Sequence, residues 1–160
     1  MSVLKHLLTP HWWAVRAFSS DVLRQIEAAI KASERKHDGE LRFAIEGPLP
    51  FPALRATTRK RAEALFGQLG VWDTEHNSGV LVYVQLDSRH IDIVADRGAA
   101  RAVSQAEWDG VCRTMEAAFR RGEFVVGSLH GIARITELLR AAFPKTASGG
   151  NELPDKPIVL

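Results

Sequence analysis

A single cysteine, Cys112, in 160 residues leaves no internal disulfide framework and fits a reducing compartment. Long apolar runs are missing as well, since none approaches the roughly 20 residues that a membrane-spanning helix needs. The stretch from Met1 to Leu8 is too short, and too interrupted by Lys5 and His6, to be the apolar core of a secretory signal. The expectation is a cytoplasmic protein. Charge of one sign is also scarce: the net charge is +2, with 11 basic and 7 acidic residues up to Trp72 and 10 and 12 after it. Acids are interspersed throughout, without the dense basic stripe of a nucleic-acid binder, so no nucleic-acid partner is expected. P-loop, dinucleotide glycine fingerprint, HExxH, CxxC and GxSxG elbow are all lacking. No nucleotide or organic cofactor is expected, and zinc hydrolases have no support.

What is present reads as one α/β domain between two shorter units. The 46% hydrophobic and 25% charged content is ordinary for a globular chain of this size. Residues 1–18 form an amphipathic segment in which Trp12, Trp13 and Phe18 sit among Lys5, His6, His11 and Arg16. Such a segment either lies on an anionic membrane surface as a peripheral contact or docks on the protein itself. The domain covers 19–145. A helix opens at Ser19-Ser20-Asp21, carries Val22, Ile26, Ala29, Ile30 and Ser33 inward, and should end near Gly39 in a left-handed cap. A strand follows from Glu40 to Glu46, then a proline-rich loop at 47–52. A second helix, from about Ala53 to Leu69, points Arg55, Arg59, Lys60 and Arg61 outward as a solvated face. Ser104 and Glu107 make a capping box for a helix that buries Trp108, Val111, Cys112, Met115 and Phe119. A last helix runs from about Phe124 to Phe143. Residues 146–160 are a glycine-containing linker and an apolar tail ending Ile158-Val159-Leu160. The tail should pack on the domain, as an added strand, or dock on a second copy as a route to a homo-oligomer.

The stretch Asn77-Ser78-Gly79-Val80-Leu81-Val82-Tyr83-Val84-Gln85-Leu86 carries most of the fold information. A strand apolar on both faces belongs inside a sheet with layers above and below. Asp87-Ser88-Arg89 reverses the chain into a second strand, with Ile91, Ile93 and Ala95 on one side and Asp92 on the other. Strand, helix and central strand make a βαβ unit and the reversal adds a hairpin. The fold class is therefore a three-layer α-β-α sandwich on a small mixed sheet, with helices on both faces. That topology gathers His37, Asp38, Glu40, Asp73, Glu75, His76, Asn77, Asp96 and Arg97 at one end of the sheet. Oxygen donors on loops suit calcium or magnesium, and an arginine near a helix start suits phosphate. Wet loops at a sheet edge are polar without any such role.

The order Asn77, Gly79, Val80, Leu81 ahead of a hairpin that closes on Asp96-Arg97-Gly98-Ala99 resembles the TPM-domain family. This is an α/β domain of thylakoid-lumen proteins involved in photosystem II repair and of many bacterial proteins, some of them credited with phosphatase activity. Ser78 stands where the family has a second asparagine, Asp96 where it has the first glycine of a Gly-x-Gly-Leu turn, and Ala99 where it has leucine. The resemblance covers about residues 19–143 and implies binding residues at Asn77, Gly79, Arg97 and Gly98. The candidate metal set at this edge is Asp73, Asn77 and Asp96, and its few fixed charges on loops point to calcium or magnesium at roughly millimolar affinity. No catalytic residue is identified. Asn77-Ser78-Gly79 read alone is equally a turn, with glycine at positive φ and asparagine bonding its own backbone. Two functions compete: a protein-interaction or assembly module, associated with membrane proteins and with a protein partner that the sequence does not name, and a metal-dependent phosphatase acting on phosphoesters through a metal-bound water.

Overall fold

The computed structural model describes residues 16–47 and 57–160. In chain order the elements are α1 (Ser20–Glu34), β1 (Glu40–Glu46), α2 (Thr58–Gln68), β2 (Gly79–Gln85), β3 (His90–Ala95), α3 (Arg97–Ala102), α4 (Gln105–Arg120), α5 (Phe124–Ala142) and β4 (Ile158–Val159). The sheet order is β3-β2-β1-β4. β1 runs parallel to both β2 and β4, and β3 is antiparallel to β2. Caps set the helix starts: Ser19 accepts the Val22 N–H, Thr57 accepts the Lys60 N–H, and Ser104 with Glu107 forms the expected capping box. The hairpin closes through a four-residue loop, 86–89, whose last residue Arg89 takes a left-handed φ of 54.

Alternation along the strands divides the core into two layers. Leu41, Phe43, Ile45, Val80, Val82, Val84, Ile91 and Ile93 pack against α1, α4 and α5, joined by Phe18, whose ring meets Phe119 and Phe124 at 6.0 and 5.6 Å. On the opposite face Ala44, Leu81, Tyr83 and Val94 meet Ala62 and Leu65 of α2, with Val71 and Leu153. The α-β-α sandwich on a mixed sheet is therefore the fold of this chain. No helix among the described residues is long and apolar enough to cross a membrane. Residues 1–15 of the amphipathic segment, and the start of the second helix at 53–56, lie outside the described residues.

The tail packs on the domain as an added fourth strand, one of the two expectations for it, with Ile158 opposite Ala44 and Val159 opposite Ile45. Three details depart from the sequence reading. A short α3 forms where no helix was expected, because the Asp96 carboxylate accepts the Arg97 N–H at 2.8 Å and starts an alanine-rich turn. Helix α1 stops at Glu34 rather than at a left-handed Gly39: Gly39 is there for space, since a Cβ would lie 3.2 Å from the Leu139 methyl carbons. The cationic face of α2 is only partly solvated. Arg61 forks onto Glu46 at 2.9 and 2.7 Å, and Arg59 donates to the Ile93 carbonyl at 2.7 Å. Trp108 is core, as expected, while Cys112 is half-buried with its thiol pushed up to about 12 by burial.

Helices α4 and α5 approach closely through Gly131, where an added Cβ would sit 2.3 Å from the Met115 sulfur. Gly131→Ala should therefore destabilise by about 1–3 kcal/mol despite alanine's better helix propensity. Gly67→Ala on α2, where nothing lies within 4 Å, should stabilise by about 0.5–1 kcal/mol. Urea unfolding of both variants checks the contrast.

Candidate functional site

The registers Glu40↔Gly79 and Val80↔Ala95 place the starts of β1 and β2 and the end of β3 at one end of the sheet. The Asn77-Ser78-Gly79 segment there is a backbone knot. Asn77 takes φ 50, so it is the asparagine and not the glycine that adopts the left-handed conformation. Its carbonyl accepts the N–H groups of Gly98 and Ala99 at 2.9 and 3.2 Å. Gly79 must lack a Cβ because one would sit 2.0 Å from the Val71 carbonyl oxygen, and Gly98 because one would sit 2.5 Å from that of His76. Ser78, fully buried, takes its N–H to Thr74 Oγ1 at 3.0 Å and its hydroxyl to the Asp38 carbonyl at 3.3 Å. The motif residues thus stitch the start of β2 to the start of α3.

The expected metal residues are gathered at this end, with Asp96 and Asn77 partly engaged locally and Asp96 Oδ2 buried without a hydrogen-bond partner among the described residues. Asp96 caps α3 through Oδ1. Asp73 is exposed on a turn closed by its own N–H on the Gly70 carbonyl. Arg97 is exposed beside Gly98. Among the described residues no group of three or more His, Cys, Asp or Glu side chains forms a ready-made ion cage.

The same sheet end carries a second acidic constellation, which sequence reasoning missed. Glu34 ends α1, Glu40 begins β1 and Asp155 comes from the tail; with Lys31, Arg35, Lys145 and Asn151 they line a cavity of about 410 Å³. Glu34 is 8% exposed and Glu40 2%. Glu34 Oε1 accepts the Leu41 N–H at 3.0 Å, while its Oε2 is buried and meets no donor among the described residues. Its charged neighbours include Asp155 and Glu40, acceptors themselves, and the Arg42 guanidinium. Acceptor facing acceptor requires a proton or a cation between them. Burial, then the hydrogen bond with Asp155, pushes Glu34 up to about 10, and burial also raises Glu40. A usable signal was present: Glu34 lies one helical turn beyond Ile30 on the stripe that α1 buries.

A neighbouring pair looks catalytic and is not. Ser33 Oγ lies 2.8 Å from His37 Nε2, but His37 Nδ1 accepts the Gly39 N–H at 3.1 Å. Nε2 therefore carries the proton and donates to Ser33, so it cannot act as a base toward that hydroxyl. His37 is fully buried, and burial lowers it to about 4.

With this geometry in hand, the comparisons bear on identity. The model of the TPM domain matches residues 14–138. This chain belongs to the TPM-domain family. The NMR structure of BA42 from the psychrophilic bacterium Bizionia argentinensis is similar, with 26% identity, 89% of this chain and 94% of that chain covered, and a TM-score of 0.78. The N-terminal domain of a P. gingivalis protein shares the fold at 19% identity, covering 89% and 96% with a TM-score of 0.62. So does the N-terminal domain of cg2496 from Corynebacterium glutamicum, at 12% identity, 80% and 78% coverage and a TM-score of 0.57. No match was found among the curated proteins.

Glu34 and His37 each give a signed pH dependence. Glu34 holds, in the folded state, a proton that the unfolded chain releases above its ordinary 4.5. Its contribution is complete below pH 4.5 and is lost as pH rises toward 10. His37 works oppositely: its contribution is complete above 6.5 and lost as pH falls through 4. Stability should be level between pH 4.5 and 6.5, where the slopes oppose, and decline above that window. Glu34→Gln, which supplies a permanent donor, should remove the decline and stabilise by about 1–3 kcal/mol at alkaline pH. Thermal unfolding from pH 4 to 10 reads both effects.

Proposed function

We propose that this TPM domain is an interaction module whose acidic pocket takes a divalent cation, calcium or magnesium. The observation that carries the reading is the buried Glu34 Oε2, which faces Glu40 and Asp155 without a donor. A divalent ion placed there does what a shared proton does, with twice the charge, and releases that proton on binding. Glu34 Oε2 would be the first ligand; the Glu40 oxygens already accept the Glu152 and Leu153 N–H groups and the Asp155 oxygens the Asn151 amide, so water would supply most of a shell of six to eight oxygens. Because Asp155 belongs to the tail and Glu34 to α1, an ion would join two elements far apart in sequence. The interaction half of the reading rests on Trp72, 56% exposed on the adjoining loop and held by its Nε1–H on the Gly67 carbonyl at 3.2 Å. An oriented, exposed tryptophan is the type of side chain that dominates protein interfaces.

The phosphatase alternative uses Asp73, Asn77 and Asp96 for the ion and Arg97 for the phosphate. It has less support, because the Asn77 carbonyl already takes two N–H groups and Asp96 offers only its unpartnered Oδ2, Oδ1 being the cap of α3.

Ion binding to the folded state alone raises the melting temperature with ion concentration. Millimolar calcium or magnesium should therefore raise the wild-type Tm, more at pH 8 than at pH 5, where protons compete. Glu34→Gln should abolish the rise while Asp96→Asn keeps it. A rise lost in Asp73→Asn or Asp96→Asn but kept in Glu34→Gln would move the site to the other loops. Hydrolysis of p-nitrophenyl phosphate that disappears in Asp73→Asn would favour the phosphatase.

A further inference from the structure

The way the tail is held is that of a peptide in a receptor. Its backbone is gripped by two β1 side chains: Glu40 accepts the N–H groups of Glu152 and Leu153 at 3.0 and 3.1 Å, and Arg42 donates to the carbonyls of Pro154 and Lys156 at 2.6 and 3.2 Å. Leu153 fills an apolar pocket among Ala44, Leu65, Val71 and Tyr83. Two residues of β4 then add to the β1 edge, with the Leu160 N–H on the Ile45 carbonyl at 2.8 Å. Main-chain clamps, an apolar anchor and strand addition are the means by which extended segments are bound between chains.

We propose that the β1 edge is a strand-accepting groove, and that two copies of this chain exchange residues 151–160 reciprocally, each tail filling the other copy's groove. Two features point to a second copy. Pro154 and Pro157 have no N–H to offer, so a neighbour cannot extend the sheet beyond the tail along this stretch. A strand reaches β1 only by replacing the tail. Every copy carries the segment whose register fits Glu40, Arg42 and the Leu153 pocket, so exchange remakes each contact and alters only the hinge. That hinge is the run from Lys145 to Gly150, tied down at Thr146 by its N–H to Asp38 at 3.1 Å and ending in Gly150, around which the space is open.

Covalent trapping tests this in a Cys112→Ala background. Ala44 and Ile158 are register partners. Chains carrying Ala44→Cys alone and Ile158→Cys alone are mixed at rising concentration and oxidised with oxidised glutathione. The chain carrying both substitutions is the control for internal closure. The proposal expects a mixed disulfide at twice the chain mass, increasing with concentration. Internal closure in the double variant with no mixed product at any concentration overturns it. So does a mixture that stays unlinked while a labelled peptide copying residues 151–160 binds the full chain, since the groove would then serve a different protein.

Discussion

Three charges on one face of β1 organise half of this domain. Glu40, Arg42 and Glu46 lie on the side facing α2 and the tail, and each is at most 5% exposed. An isolated buried charge costs several kcal/mol or more, so each needs partners from elsewhere in the chain. Glu46 finds Arg61 in a two-pronged pair and the Tyr83 hydroxyl at 2.7 Å. Glu40 and Arg42 find the backbone of residues 152–156. The position of α2 and the path of the tail follow from these requirements as much as from apolar burial. Removing one partner would strand a charge, which costs more than the pair contributes.

The two ends of that face are satisfied to different degrees. At Glu46 every oxygen has a donor, so the cluster is a closed structural network of the kind that fixes one arrangement. At Glu34 one oxygen has no donor although the Arg42 guanidinium lies within reach of its charge, and burial beside Asp155 and Glu40 keeps the carboxyl protonated. Tyr83, raised by burial and by its bond to Glu46, stays a neutral donor. One end of β1 is closed by donors within the fold, and the other by the proton that Glu34 keeps.

Most of the architecture was legible because apolar periodicity reports directly on burial. β2, with both faces apolar, had to be internal, and the capping box at Ser104 marked α4 to the residue. The polar half of the core was not legible. Arg42 alternates with Leu41 and Phe43, and alternation alone reads it as the wet face of a strand. What buries it is a tail more than a hundred residues later, and no local pattern encodes that contact. Asn77, Gly79 and Gly98 were singled out in sequence as binding residues, and in the fold their evident chemistry is backbone closeness. A glycine kept for want of space looks, in sequence, the same as one kept for a turn or a ligand. Glu34 was the one decisive group that spacing could have exposed, since a carboxyl at the end of a buried helical stripe must be neutralised.

The knot at Asn77 and the grip on the tail divide the labour at this end of the sheet. Backbone bonds from Asn77 to Gly98 and Ala99, and from Asp96 to Gly79, tie together β2, β3 and α3 without using any ionisable atom except the Asp96 cap. Those loops stay in place whatever the charge state nearby. The tail has only a two-residue strand, and its remaining grip runs through Glu40, Arg42, Asp38 and the Leu153 pocket. A segment held mainly by charged side chains answers to charge, whereas one held by a backbone ladder does not. Any change at Glu34 and Asp155 is therefore felt first by residues 151–157, and the knot confines that response to the tail.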